Sequence, residues 1–94
     1  MTLKEMKLIK ENIDAKLAEK YGRIEIGGKD CYALNDGRVI CVALVLSYKA
    51  VVVEYADSIS AAELNCFEDG DLFYLEKADT DTIFSAMLGE IEAQ

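Results

Sequence analysis

The chain has 94 residues, of which 18 are acidic, 10 are basic and 52% are apolar, and its formal net charge is −8. This length predicts one domain spanning residues 1–94, and the apolar content is too high for intrinsic disorder. The sequence contains no histidine, which excludes a Ser-His-Asp triad, a Cys-His pair and histidine metal ligands. We therefore do not expect an enzyme.

The negative charge is concentrated in the second half of the chain. Residues 1–49 carry a net charge of +2 and residues 50–94 carry −10, where Lys77 is the only basic residue. Because such a surface repels phosphate groups, nucleic acid is not an expected partner. A basic protein surface is a better match, and the alternative is that the charge serves solubility alone.

The apolar segments are too short for a membrane protein. The longest unbroken apolar run covers residues 39–46, whereas a helix needs about 20 apolar residues to cross a bilayer. No apolar segment follows a basic start, so a secretory signal is not expected. These observations predict a cytoplasmic protein with no membrane partner.

The first predicted element is a helix from Leu3 to Lys20. Thr2 and Glu5 have the spacing of a capping box, in which each side chain accepts a hydrogen bond from the other residue's backbone. Gly22 suits the end of the helix because it tolerates a positive φ. The apolar residues recur at helical spacing and form one stripe, composed of Leu3, Met6, Ile9, Ile13 and Leu17.

A β-meander is predicted to follow the helix. The sequence Gly27-Gly28 favours a tight hairpin, and Asn35-Asp36-Gly37 favours a second turn. Short turns make successive strands antiparallel neighbours. The predicted strands cover residues 23–26, 31–34, 39–46 and 50–56, with a fifth at residues 72–75.

The remaining segments are a short helix, an acidic turn and a final helix. Asp57 or Ser58 can cap a helix over residues 60–64, and residues 68–71 are predicted to form an exposed turn. Asp79 or Thr80 caps the last helix. Its apolar face is formed by Ile83, Phe84, Met87, Leu88 and Ile91.

These elements predict an α+β fold with both long helices packed on one face of a four- to five-stranded, mostly antiparallel sheet. Residues 39–46 and 51–53 are apolar without alternation, which predicts strands covered on both faces. Either residues 57–70 cover the second face or a second copy of the chain does. The second alternative predicts a homodimer through the second sheet face.

The three cysteines match no common zinc-ligand spacing and form no C-x-x-C motif. An odd number of cysteines in a cytoplasmic chain also argues against a disulfide framework. We interpret Cys31, Cys41 and Cys66 as small buried apolar residues.

The acidic segment after residue 67 is the candidate interaction surface, composed of Glu68, Asp69, Asp71, Tyr74 and Glu76. Exposed tyrosine among charged residues is typical of protein interfaces. The sequence favours a small non-enzymatic protein-interaction or regulatory module that needs no cofactor. The alternative is a small-molecule or divalent-cation binding domain centred on residues 68–71, because hard cations bind several converging oxygens.

Overall fold

A computed structural model describes residues 1–93, which form three α-helices and five β-strands. A single turn of 3-10 helix, Leu46–Tyr48, connects the third strand to the fourth. In chain order the elements are α1 (Leu3–Tyr21), β1 (Arg23–Ile26), β2 (Lys29–Ala33), β3 (Val39–Val45), β4 (Ala50–Ala56), α2 (Ile59–Glu63), β5 (Glu68–Tyr74) and α3 (Thr80–Ala93).

The sheet confirms the predicted meander. Its five strands lie in the order β1-β2-β3-β4-β5, and every neighbouring pair is antiparallel. Gly27 and Gly28 both have positive φ, which matches the tight hairpin predicted between β1 and β2. The longest continuous register joins β3 to β4, from Val39 opposite Ala56 to Val45 opposite Ala50. β1 and β5 are therefore the two edge strands.

The caps of α1 and α2 also follow the sequence. Thr2 accepts a hydrogen bond from the Glu5 amide at 3.1 Å, and the Glu5 carboxylate accepts one from the Thr2 amide at 2.9 Å. This capping box satisfies two amides that a helix start otherwise leaves unpaired. Ser58 caps α2 by accepting a hydrogen bond from the Ala61 amide at 3.0 Å.

Both long helices pack on the same face of the sheet, as predicted. Residues of α1 and α3 share one apolar core with alternate residues of the central strands. Most of the predicted apolar stripe of α1 is buried, but Leu3 at the helix N-terminus is exposed. The buried core residues of the two helices are Met6, Ile13 and Leu17 of α1 and Ile83, Met87 and Ile91 of α3.

Residues 57–70 cover part of the second sheet face, which was one of the two predicted alternatives. Ala62 of α2 is buried against this face, and Phe67 and Ala61 pack beside it. These residues cover the end of the sheet that contains Cys31 and Cys41. At the other end of the same face, Tyr74 is not covered by these residues and is 43% exposed.

Two interpretations from the sequence require correction. Cys31 and Cys41 are buried as expected, but Cys66 is exposed because it follows α2 in the connection to β5. Residues 68–71 are not a turn but the first half of β5. Their acidic side chains are compatible with a strand because β5 lies at the sheet edge, where charge is tolerated and common.

Candidate functional site

The acidic residues Glu68 and Asp69 lie at the start of edge strand β5. Glu68 is opposite Tyr55 of β4, and Asp69 is opposite Glu54. Successive side chains of a strand point to opposite faces, so these two carboxylates do not converge. Among the residues that the structure describes, no three cysteine, aspartate or glutamate side chains come together in a group that could hold a metal ion.

A β-bulge interrupts β5 immediately after these residues. Val52 is opposite Leu72 and Glu54 is opposite Asp69, so that one residue of β4, Val53, lies across from two residues of β5, Gly70 and Asp71. The carboxylate of Glu90 on α3 accepts hydrogen bonds from the Asp71 amide and from the Tyr55 hydroxyl. Burial and the hydrogen bond from its hydroxyl to Glu90 raise the pKa of Tyr55. Glu90 therefore ties the bulge to α3.

Of the other two predicted site residues, Tyr74 ends β5 and Glu76 lies two residues beyond it. Tyr74 is opposite Ala50, and the Lys77 ammonium lies 5.6 Å from the centre of its ring. Glu76 forms ion pairs with the N-terminal ammonium at 3.2 Å and with Lys49 at 3.4 Å. The N-terminal ammonium, followed by Lys49, lowers the pKa of Glu76. Glu76 thus has intramolecular partners, unlike the residues at the start of the strand.

The candidate surface therefore divides into two parts. Within residues 1–93, the side chains of Glu68, Asp69 and Asp71 form no ion pair, and all three are exposed. We call these three residues the acidic edge. Tyr74 and Glu76 belong to a separate region beside Lys49 and Lys77.

A shallow groove of about 270 Å³ adjoins the acidic edge. Its walls include the apolar groups of Ala61 and Phe67 together with Tyr55, and Asp57 and Glu68 add carboxylates to it. A groove of this composition can accommodate the aliphatic part of a lysine or arginine side chain, whose charged end then meets a carboxylate.

A second cleft, of about 540 Å³, lies between the β1–β2 hairpin and β3. It is lined in part by Lys29, Cys41 and Glu54. The Cys41 thiol donates a hydrogen bond to the Glu54 carboxylate at 3.2 Å. The spacing of the cysteines in the sequence does not reveal this site, because Cys41 and Glu54 lie on different strands.

The position of the turn at residues 35–37 predicts how β2 and β3 are aligned. Residues equally distant from the centre of a hairpin turn lie opposite each other on its two strands, and counting outward from Asp36 places Cys31 opposite Cys41. The structure has this register, with Ala33 opposite Val39 and Tyr32 opposite Ile40.

Comparison with protein-family models, with curated proteins and with solved structures returns no match. None of the helices in the described part of the chain is long and apolar enough to cross a membrane.

Proposed function

We propose that the chain is a non-enzymatic protein-interaction module that binds a basic protein segment along the acidic edge. The observation that carries this proposal is the position of three exposed, unpaired carboxylates on an edge strand beside the Ala61–Phe67 groove. Edge strands present backbone groups that a partner strand can pair with, and side-chain charge selects the partner.

The arrangement of charge supports a role outside folding. Asp69 lies directly opposite Glu54, and like charges at opposite positions of two antiparallel strands destabilise the pair. Within residues 1–93 the acidic edge forms no ion pair, whereas Glu76, two residues beyond β5, forms two. A basic partner would relieve this repulsion when it binds.

The test is the affinity for a fluorescent polyarginine peptide, measured by anisotropy at low and high salt. We expect the variant Glu68→Gln/Asp69→Asn/Asp71→Asn to bind about tenfold more weakly than the unmodified chain, since each exposed ion pair contributes up to about 1 kcal/mol. High salt should weaken binding of the unmodified chain.

A matched control separates the acidic edge from net charge. The variant Glu11→Gln/Glu19→Gln/Glu25→Gln removes three exposed carboxylates elsewhere and changes the net charge by the same amount. We expect it to retain affinity within about threefold of the unmodified chain, which corresponds to less than about 1 kcal/mol. Equal weakening of both variants would mean that binding follows net charge and would refute a defined site.

Calorimetry distinguishes the cation-binding alternative. Titration with calcium or magnesium should release no binding heat if the acidic edge serves a basic partner only. A saturable heat that disappears in the Glu68→Gln/Asp69→Asn/Asp71→Asn variant would favour a divalent-cation domain instead.

A homodimer is the second candidate assembly, and the uncovered end of the second sheet face favours it. Val45, Leu72 and Tyr74 lie on this end and are only partly buried within one chain. A molar mass of two chains by light scattering, reduced to one chain by Tyr74→Lys, would support this assembly. A mass of one chain at high micromolar concentration would exclude it.

A further inference from the structure

Cys31 and Cys41 follow directly on the last paired residues of β2 and β3. The paired register comprises Ala33 opposite Val39 and Tyr32 opposite Ile40, and extending it by one residue on each strand places Cys31 opposite Cys41. At the turn, the Leu34 amide donates a hydrogen bond to the Arg38 carbonyl at 2.8 Å. Hydrogen-bonded and non-hydrogen-bonded pairs alternate along an antiparallel ladder, which places Cys31 and Cys41 in a non-hydrogen-bonded pair.

This class of pair brings side chains closest together. Opposite Cα atoms are separated by about 4.5 Å in such pairs, which lies at the short end of the range that disulfides span. Both cysteines are buried in the same apolar cluster on the second sheet face, at 0% and 3% exposure.

The surroundings differ for the two thiols. The Cys41 thiol faces the cleft and donates to Glu54, while the Cys31 thiol donates weakly to the Lys29 carbonyl at 3.7 Å. Burial raises the pKa of both thiols, and the Glu54 carboxylate raises that of Cys41 further. Both groups are therefore held as neutral thiols, and their oxidation should be slow.

We propose that Cys31 and Cys41 form a redox-modification site, in which a hydroperoxide that enters the cleft converts the two thiols to a cross-strand disulfide. Cys41 lines this cleft, and the extended strand register places the second sulfur, that of Cys31, opposite it. Cys66 takes no part, because it is exposed on the segment after α2 and lies outside the buried cluster.

The reaction balances in two steps. The Cys41 sulfur attacks one peroxide oxygen, an S–O bond forms, the O–O bond breaks, and the thiol proton passes to the departing oxygen to give water when the oxidant is hydrogen peroxide. The Cys31 sulfur then attacks the Cys41 sulfur, an S–S bond forms, the S–O bond breaks, and the hydroxyl leaves as water with the Cys31 proton. The two thiols lose two electrons, which reduce one peroxide to two waters.

The disulfide would extend the connection between β2 and β3. Their backbone pairing stops at Tyr32 and Ile40, although β3 continues to Val45. A covalent link at the next position would join the middle of β2, opposite Ile24 of β1, to the central strand β3. Because the linkage restricts the unfolded chain and fits the native register, it should stabilise the fold.

Mass spectrometry of tryptic peptides tests the pairing directly. Trypsin places the three cysteines in separate peptides, covering residues 30–38, 39–49 and 50–77. After treatment of the folded chain with excess hydrogen peroxide and alkylation of remaining thiols, we expect residues 30–38 linked to residues 39–49, two hydrogens lighter than the free pair. Dithiothreitol should restore both free peptides.

Variants and melting temperatures complete the test. Cys66→Ser should form the linkage to the same extent as the unmodified chain, and Cys41→Ser should abolish it. Oxidation should raise the melting temperature by on the order of 10 °C, and reduction should reverse this rise. Alkylated Cys31 and Cys41 after peroxide treatment, a linkage that involves Cys66 instead, or a lower melting temperature of the linked form would each overturn the proposal. The peptide map of the unmodified chain decides the question even if Cys41→Ser fails to fold.

Discussion

The Tyr55 hydroxyl donates a hydrogen bond to the Glu90 carboxylate and so connects a central strand to the C-terminal helix. The second oxygen of the same carboxylate accepts the Asp71 amide in the β5 bulge. One side chain therefore satisfies a buried hydroxyl and a backbone amide that the bulge leaves without a strand partner. This contact joins α3 to edge strand β5, whose residues are mostly exposed.

Gly70→Ala should break this contact. A Cβ atom at Gly70 would lie 2.6 Å from a carboxylate oxygen of Glu90, so the carboxylate must shift from the position in which it accepts its two hydrogen bonds. We expect the free energy of unfolding to fall by about 1–3 kcal/mol, as measured by urea denaturation. Glu90→Ala should produce a loss of similar size, and the double variant should lose less than the sum because both changes remove the same contact.

Gly89→Ala is the matched control within the same region and should have the opposite effect. Gly89 lies inside α3, and a Cβ atom there meets no atom within 4 Å. Alanine is favoured over glycine in a helix interior by about 1 kcal/mol, so urea denaturation should reveal a gain of this order. A loss of stability would contradict the open environment of this position.

The predictable parts of the fold are those that depend on neighbouring residues in the chain. The Thr2–Glu5 capping box and the Gly27–Gly28 hairpin involve contacts over a few residues, and both occur as predicted. The first half of β5 was predicted as a turn because its acidic residues and Gly70 disfavour strands. Its conformation depends on pairing with β4 and on Glu90, 20 positions beyond Gly70, which no local pattern reveals.

Asp14 is a second example of a residue whose role depends on a distant partner. Asp14 is not one of the apolar stripe residues of α1, yet it is buried at 7% exposure. Its carboxylate accepts hydrogen bonds from the Tyr32 hydroxyl at 2.8 Å and from the Lys10 ammonium at 2.7 Å. These two donors compensate the loss of water around the charge.

Tyr32→Phe should therefore destabilise the fold through Asp14. The substitution keeps the buried ring but removes one of the two donors to the carboxylate, and we expect a loss of about 1–3 kcal/mol in urea denaturation. Tyr48→Phe removes an exposed hydroxyl and should change stability by less than about 0.5 kcal/mol. A loss that is equal in both variants would show that the Tyr32–Asp14 bond makes no specific contribution.

The stability should fall as the pH rises above 10. Burial raises the pKa of Tyr32 and Tyr55, with further contributions from Asp14 and Glu90, and burial also raises the pKa of Tyr21. In the unfolded chain tyrosine loses its proton near pH 10, so the folded chain binds more protons above that pH. The tyrosines therefore contribute their full stabilisation below pH 10. Above pH 10 the free energy of unfolding decreases as the pH rises. Urea denaturation between pH 8 and pH 11 measures this slope, and Tyr32→Phe should make it shallower.

Asp69→Asn should stabilise the isolated protein, although Asp69 belongs to the proposed binding surface. It removes the repulsion with Glu54 on the adjacent strand, and we expect a gain of about 0.2–1 kcal/mol at low salt. The gain should shrink at high salt because exposed charges are screened. Glu11→Gln makes the same change of net charge on the exposed side of α1 and should give a smaller gain.

If Asp69→Asn increases stability but weakens polyarginine binding, the acidic edge costs folding energy and contributes to recognition. If it lowers stability, the repulsion with Glu54 is absent and that argument for a binding role fails.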